Sequence, residues 1–167
     1  MEISLHVLNE TDREDLFQFE LANRSFFNTM VPDRGDDYYS FPNYAVKLSE
    51  LLEEQMNGGS KFYLIKNQDL KILGRINLFD INGTTETAEV GFRVSDSYRG
   101  KGIASKALSQ LIQNDLPIKQ IKAKTTTVNL ASQKTLEKNG FRQIRLSEEE
   151  FEMNGLQMRF IYYLKDL

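Results

Sequence analysis

Cysteine is absent from this chain of 167 residues, and histidine occurs once, as His6. The first absence excludes a disulfide framework, a thiolate metal site and a cysteine nucleophile. The second means that a multi-histidine metal centre or a Ser-His-Asp triad must be built around His6 or not at all. Long hydrophobic runs are missing too, and no apolar segment follows the Met-Glu start. Neither a transmembrane helix nor a secretory signal is therefore expected, which points to a cytoplasmic protein. Apolar residues make up 40% and charged residues 27%, a globular balance and not a disordered one. The length suits one domain over residues 1–167. At that size roughly 70% of the unfolded surface can be buried, so no metal or disulfide staple is required.

The pattern along the chain is that of a mixed fold. Ile3–Leu8 alternates apolar and polar residues, as a half-buried strand does, with His6 on its polar face as an exposed or hydrogen-bonded side chain. Thr11-Asp12 supplies a helix start, and helical spacing continues through Leu16 and Phe19 to about Arg24. Two of the three prolines fall between Phe27 and Tyr44, with a glycine and several aromatics. The expectation there is a long irregular loop, either a binding lid or a surface crossing with its aromatics packed on the core. A helix follows from Val46 to Met56, stopped by Asn57-Gly58-Gly59. Strands are expected over Lys61–Lys66, Lys71–Asp80 and Glu86–Val94, with Gly74 marking a bulge or a close backbone approach. Helical spacing returns over Ile103–Asn114, alternation over Ile118–Thr127 and a further helix over Asn129–Asn139. Phe141–Arg145 and Leu156–Leu164 read as a closing pair, with Asn154-Gly155 as a type I′ turn signal between them. The order β-α-α-β-β-β-α-β-α-β-β makes one α/β (α+β) domain.

Chemistry concentrates where the Glu89–Val94 strand enters a glycine-containing loop that opens into the Ile103 helix. Unpaired N–H groups at a helix start, together with its dipole, make an anion site. Gly100 and Gly102 allow the main chain to approach a phosphate, or serve simply as turn formers. The spacing matches neither a Walker loop nor a Rossmann fingerprint.

Taken with the segment Asn129–Phe141, this loop resembles the GNAT (GCN5-related) N-acetyltransferases. Their pyrophosphate loop, Arg/Gln-x-x-Gly-x-Gly/Ala, is matched by Arg99-Gly100-Lys101-Gly102-Ile103-Ala104, and their Asn-containing helix ending in Gly-Phe by Asn129 through Phe141. The element order agrees over nearly the whole chain. The resemblance implies a mostly antiparallel sheet of about seven strands with about four helices, acetyl-CoA as donor, no metal, and an amine acceptor. It implies that the Arg99–Ala104 main chain holds the pyrophosphate. It also implies that the Phe92-Arg93-Val94 edge pairs with the pantetheine amides, splayed from the Lys119–Thr125 strand, and that Asn129 bonds the pantetheine arm.

Many members carry a tyrosine five residues before the Gly-Phe phenylalanine, to protonate the departing thiolate; here that residue is Leu136. With Ser132 and the phrase Ala88-Glu89-Val90-Gly91-Phe92, this looks like the RimJ/RimL branch, named for N-terminal acetylation of ribosomal proteins. Ser132 then becomes the acid or thiolate stabiliser, or else an exposed helix serine. Tyr98 is a competing acid or a packing residue. Glu89, between Ala88 and Val90, is the candidate base with a carboxyl raised by desolvation, or else a structural carboxylate. An α-amino group with a pKa of about 7.7–8.0 is roughly one-tenth neutral at pH 7, whereas a lysine near 10.4 is almost wholly charged. An N-terminal amine therefore asks less of a weak base. Without cysteine no acetyl-thioenzyme can form, so the amine is expected to attack directly in a ternary complex.

The expected function is acetyl transfer to a protein N-terminus, ribosomal-protein type, or to a small amine such as a polyamine or an antibiotic. The alternative is a non-catalytic acyl-CoA-binding or sensing domain, which needs the loop but not Glu89 or Ser132. Nucleic-acid and membrane partners are not expected, and relatives allow a monomer or a homodimer. The net charge of −3 hides a division. Residues 93–145 hold eleven Lys/Arg against three Asp/Glu, leaving −11 for the remainder. The basic part suits the CoA polyanion. The acidic part, around Asp33, Asp36 and Asp37, is placed to attract a cationic amine.

Overall fold

Strands and helices follow the two periodicities closely in the computed structural model, which describes residues 1–167. Strand β1 (Ser4–Val7) leads through a 3-10 turn into α1 (Arg13–Ala22) and the single turn α2 (Arg24–Phe27). A second 3-10 turn at Asp36–Tyr39 precedes α3 (Phe41–Met56). The meander β2 (Lys61–Lys66), β3 (Ile72–Asn82) and β4 (Thr87–Val94) follows. Next come α4 (Ile103–Gln113), β5 (Gln120–Thr126) and α5 (Leu130–Lys138). The chain closes with β6 (Arg142–Leu146), β7 (Phe151–Met153), β8 (Leu156–Met158) and β9 (Phe160–Asp166).

Seven strands form one sheet in the order β1-β2-β3-β4-β5-β9-β6. Every neighbouring pair is antiparallel except β4 and β5, which run parallel and are joined through α4. Alternation along β2 shows how the sheet buries both faces. Tyr63 and Ile65 enter a cluster with Leu108, Leu111 and Leu136 of α4 and α5. Phe62 and Leu64 enter a second cluster with Leu16, Phe19 and Leu48 of α1 and α3. Each fully buried leucine, isoleucine or phenylalanine contributes about 1.5–3 kcal/mol of transfer free energy. The sheet thus stands between two helical layers.

The expected sheet of about seven strands forms, and the single turn α2 is added to four longer helices. The stretch from Phe27 to Tyr44 is only partly irregular, since α3 begins at Phe41 and not at Val46. Pro42 lies in its first turn, where the missing N–H has no helical acceptor to lose. The Asn154-Gly155 turn does form, with positive φ at both residues (52° and 78°), but it joins β7 to β8 in a separate two-stranded ribbon. The expected Leu156–Leu164 strand breaks at Arg159. There the main chain is drawn away to pair with Thr127: the Thr127 N–H donates to Arg159 O at 2.9 Å, and the Arg159 N–H to Thr127 Oγ1 at 3.1 Å.

Candidate active site

Parallel pairing of β4 with β5 stops after Val90 and Ala123. From that point the strands separate. The Ser95 N–H donates to Leu73 O at 2.8 Å, which sets the alternation along β4. Arg93 and Gly91 bond toward β3, while the main-chain groups of Phe92 and Val94 turn toward the gap. Gly74, opposite Val94, is the close approach that the sequence suggested: a Cβ there would lie 2.5 Å from Arg93 O. An added side chain would therefore push β3 off the strand that carries the open edge.

Beyond the gap lies the Arg99–Ala104 loop. Gly100 and Gly102 adopt φ of 75° and 74°, a left-handed conformation that costs other residues roughly 1–2 kcal/mol each. Gly102 caps α4 without any side-chain bond, and Ile103 is buried against the core. No protein acceptor meets the N–H groups from Gly100 to Ser105, so a row of donors is left open at the positive end of an eleven-residue helix. Arg99 and Lys101 add cationic side chains, stacked over Phe26 and Tyr98 respectively. Open donors here and the free β4 edge match what a pyrophosphate and two amides require, so the residues fit acetyl-CoA. Phe92, Val94, Arg99, Gly100, Lys101, Gly102, Ile103 and Ala104 thus follow one another along the gap and the helix start, whereas the Arg93 main chain, expected at the same edge, is turned toward β3.

The gap opens onto a cavity of about 520 Å³. Asn129 and Ser132 both line it. Asn129 caps α5, its Oδ1 accepting from the Ser132 N–H at 3.1 Å, which leaves its amide NH2 for a ligand. Leu136 is buried and lines the same cavity, and of the two hydroxyl side chains on α5 Ser132 lines it while Thr135 does not. Tyr98 lies outside it. Glu89 shares the sheet face of Gly91 and Arg93 but stands outside the cavity lining, one alternation step past Gly91. Burial raises its carboxyl above the ordinary glutamate value; Lys124 opposes this, Asp80 adds to it, and Lys122 opposes it.

At the other end of the cavity is a charged cluster in which Arg93, expected only as part of the pantetheine-pairing edge, meets Glu20 and Arg75. Glu20 of α1 is fully buried, its Oε1 2.7 Å from Arg75 Nη1 and its Oε2 3.5 Å from Arg93 Nη1. Burial alone would raise its carboxyl, but Arg75 and Arg93 outweigh that and hold it below the ordinary value. Arg75 and Arg93 stand directly opposite each other on β3 and β4, and both line the cavity. Asn77, beside them, has a buried Oδ1 without a partner. One signal was present in the sequence. Glu20 lies four residues after Leu16, on the apolar stripe of α1, while Leu21 is exposed.

The acidic loop does not act as its charge suggested. Arg24 Nη2 binds Asp33 at 2.6 Å and Asp36 at 2.8 Å, and the cavity receives Arg34 from this segment instead of Asp33, Asp36 or Asp37. Val31 and Pro32 supply apolar wall. The β7–β8 ribbon closes the opposite side with Phe151 and Met153, held to α2 by Asn154 Nδ2 donating to Asn28 O at 2.7 Å. His6 lies far from all of this on β1, bonded to Ser4 Oγ at 2.8 Å.

Such an open strand edge, leading from a helix-start anion site into a chamber, defines an acyl-transfer site that uses a nucleotide thioester. The family model of the acetyltransferase (GNAT) domain matches residues 3–142, and the chain belongs to that family. It is 28% identical over 159 residues to the probable N-acetyltransferase YjcK of Bacillus subtilis (strain 168), covering 92% of this chain and 88% of that one. Its fold is that of RimL, a ribosomal L7/L12 alpha-N-protein acetyltransferase solved with coenzyme A, at a TM-score of 0.88 and 21% identity, over 99% of this chain and 94% of that one. The ribosomal-protein-S5-alanine acetyltransferase of Vibrio fischeri superposes at 0.87 with 20% identity, over 99% and 93%. No helix is long and apolar enough to cross a membrane.

Proposed function

We propose that this acetyltransferase transfers the acetyl group of acetyl-CoA to the amine of a protein N-terminus or a small molecule, in the manner of the RimJ/RimL branch. We place that activity in the cytoplasm, with the enzyme a monomer or homodimer. The observation that carries the reading is the end of β4–β5 pairing at Val90 and Ala123, beside Ser132 and Asn129. It supplies a slot for an extended arm that delivers its thioester to the chamber, by strand addition. Likeness to RimL and to the S5-alanine enzyme supports an N-terminal amine.

In this reading the amine attacks the thioester carbonyl directly. The C–N bond forms, the C–S bond breaks, and the thiolate leaves. Glu89 accepts the proton lost by nitrogen through an intervening water, since its carboxylate stands outside the chamber wall. Ser132 donates a hydrogen bond or proton to the sulfur. Asn129 and the open edge of β4 hold the arm, and Arg99–Ala104 the pyrophosphate.

Incubation with acetyl-CoA and a panel of N-terminal peptides and small amines, read as free thiol, tests this directly. Thiol release that needs both acetyl-CoA and an amine is expected. Binding of acetyl-CoA without release from any acceptor would instead establish the non-catalytic acyl-CoA-binding alternative.

A further inference from the structure

We propose that the acceptor carries an anionic group, a carboxylate or phosphate, within a few bonds of its amine, and that Arg34, Arg75 and Arg93 receive it. This rests on the acetyltransferase reading above and narrows it. Four cations line the cavity, Arg34, Arg75, Arg93 and Lys124, against one carboxylate, Glu152. Three of them also lie over rings, Lys124 4.5 Å from the Phe160 centre, Arg34 4.8 Å from Tyr38, to whose hydroxyl its Nη1 donates, and Arg93 5.0 Å from Phe27. Behind the wall, one buried carboxylate, Glu20, serves both Arg75 and Arg93.

Each guanidinium offers five N–H donors. Glu20 receives a single contact from each. Both guanidiniums line the cavity and keep N–H donors that Glu20 does not take. Charge points the same way. Burial lowers the pKa of Arg93, and Arg34 and Arg75 repel its charge while Glu20 opposes them. An anion entering here relieves that excess, and a carboxylate or phosphate suits the fork of a guanidinium.

Position supplies the amine. Asn77 and Gly91 stand two residues along the strands from the Arg75–Arg93 pair, about 7 Å at the rise of a β-strand, and next to Val90, where the gap begins. Asn77, whose buried Oδ1 has no partner, lines the cavity at that point. An amine there and an anion at the arginines belong to one small molecule or to one acidic N-terminal residue. A polyamine presents the wrong sign, which costs binding by like-charge juxtaposition.

Matched acceptors test the inference in steady-state thiol-release assays at saturating acetyl-CoA. The small-molecule arm compares aspartate with asparagine amide and phosphoethanolamine with ethanolamine. The peptide arm compares peptides beginning with Asp or Glu with their Asn or Gln counterparts, and spermidine is the cationic control. The anionic member of a pair is expected to have a kcat/KM about tenfold or more above its neutral partner. Which arm shows this identifies the source. Arg93→Gln and Arg34→Gln should erode that preference, chiefly through KM. If Arg93→Gln does not fold, Arg34→Gln on its exposed loop decides the matter. Equal or better turnover of the neutral amines or spermidine overturns the inference and leaves the acetyltransferase reading standing. So does an unaltered preference in the arginine variants. No thiol release from any acceptor defeats both.

Discussion

The donor and acceptor ends of the cavity are built from different material. The donor end is main chain: the free edge of β4, the open N–H groups from Gly100 to Ser105, and a start of α4 that has no side-chain cap. The acceptor end is side chain: Arg75 and Arg93 braced by Glu20, Asn77 beside them, and Arg34 carried on a loop. A backbone site depends on φ angles and strand spacing, so many side chains are compatible with it. A side-chain site depends on particular charges, and one substitution changes what it accepts. In the proposed reading, donor and acceptor are recognised by physically different parts of one chamber, the first by main chain and the second by side chains.

The largest expected effect comes from breaking the acceptor end at its buried anchor. Glu20→Gln leaves two guanidiniums with no buried counter-charge and should cost about 3–5 kcal/mol, seen as a large fall in melting temperature. Because the folded Glu20 carboxyl lies below its ordinary value, its contribution is present above the unfolded glutamate value of about 4.3. That contribution is lost as pH falls through the lower folded value. Acid titration of the wild type should show this loss, and the variant should lack it. Equal stability in the two would remove Glu20 as the anchor.

Next in size are the groups proposed for proton transfer. Glu89→Gln and Ser132→Ala should each lower kcat by about a hundredfold while acetyl-CoA affinity changes little. The raised Glu89 carboxyl predicts that activity climbs with pH through a value above the ordinary glutamate range, and that this limb disappears in Glu89→Gln. Wild-type rates in both variants would overturn the roles given to them.

A smaller effect is expected at the donor end. Nothing lies within 4 Å of a Cβ placed on Gly102, so Gly102→Val meets no clash and is opposed only by its φ of 74°. The strain of roughly 1–2 kcal/mol should weaken acetyl-CoA binding about tenfold, measured by calorimetry, with the fold retained. Unchanged affinity would detach the loop from the pyrophosphate. Smallest of all, Asn154→Gly keeps the turn conformation and removes the bond to Asn28. It should cost about 1 kcal/mol or less of stability and raise the acceptor KM a few-fold without altering acetyl-CoA affinity.

How much of this was legible before folding follows the same division. Loop glycines at fixed spacing, a helix start and alternating strands are local signals, and they single out Gly100, Gly102, Asn129 and the β4 edge as candidates. Glu20, Arg75 and Arg93 are separated by 55 and 18 residues, and no local pattern links them. Their partnership exists because α1 packs across β3 and β4. Summed charge misled for the same reason. Asp33 and Asp36 count as acidic in any segment total, yet Arg24 holds both and Arg34 faces the chamber.

By itself the sequence determined most of the elements, their order, the glycine-bearing start of α4 and the exclusion of cysteine chemistry, because each rests on residue types or on neighbours within a few residues. Tertiary structure alone decided where β4 leaves β5, that Glu89 stands outside the chamber wall, and that the end of the chamber holding Arg75 and Arg93 is cationic. Those properties depend on which distant side chains meet in the folded chain, where burial strengthens the interaction between the charges brought together.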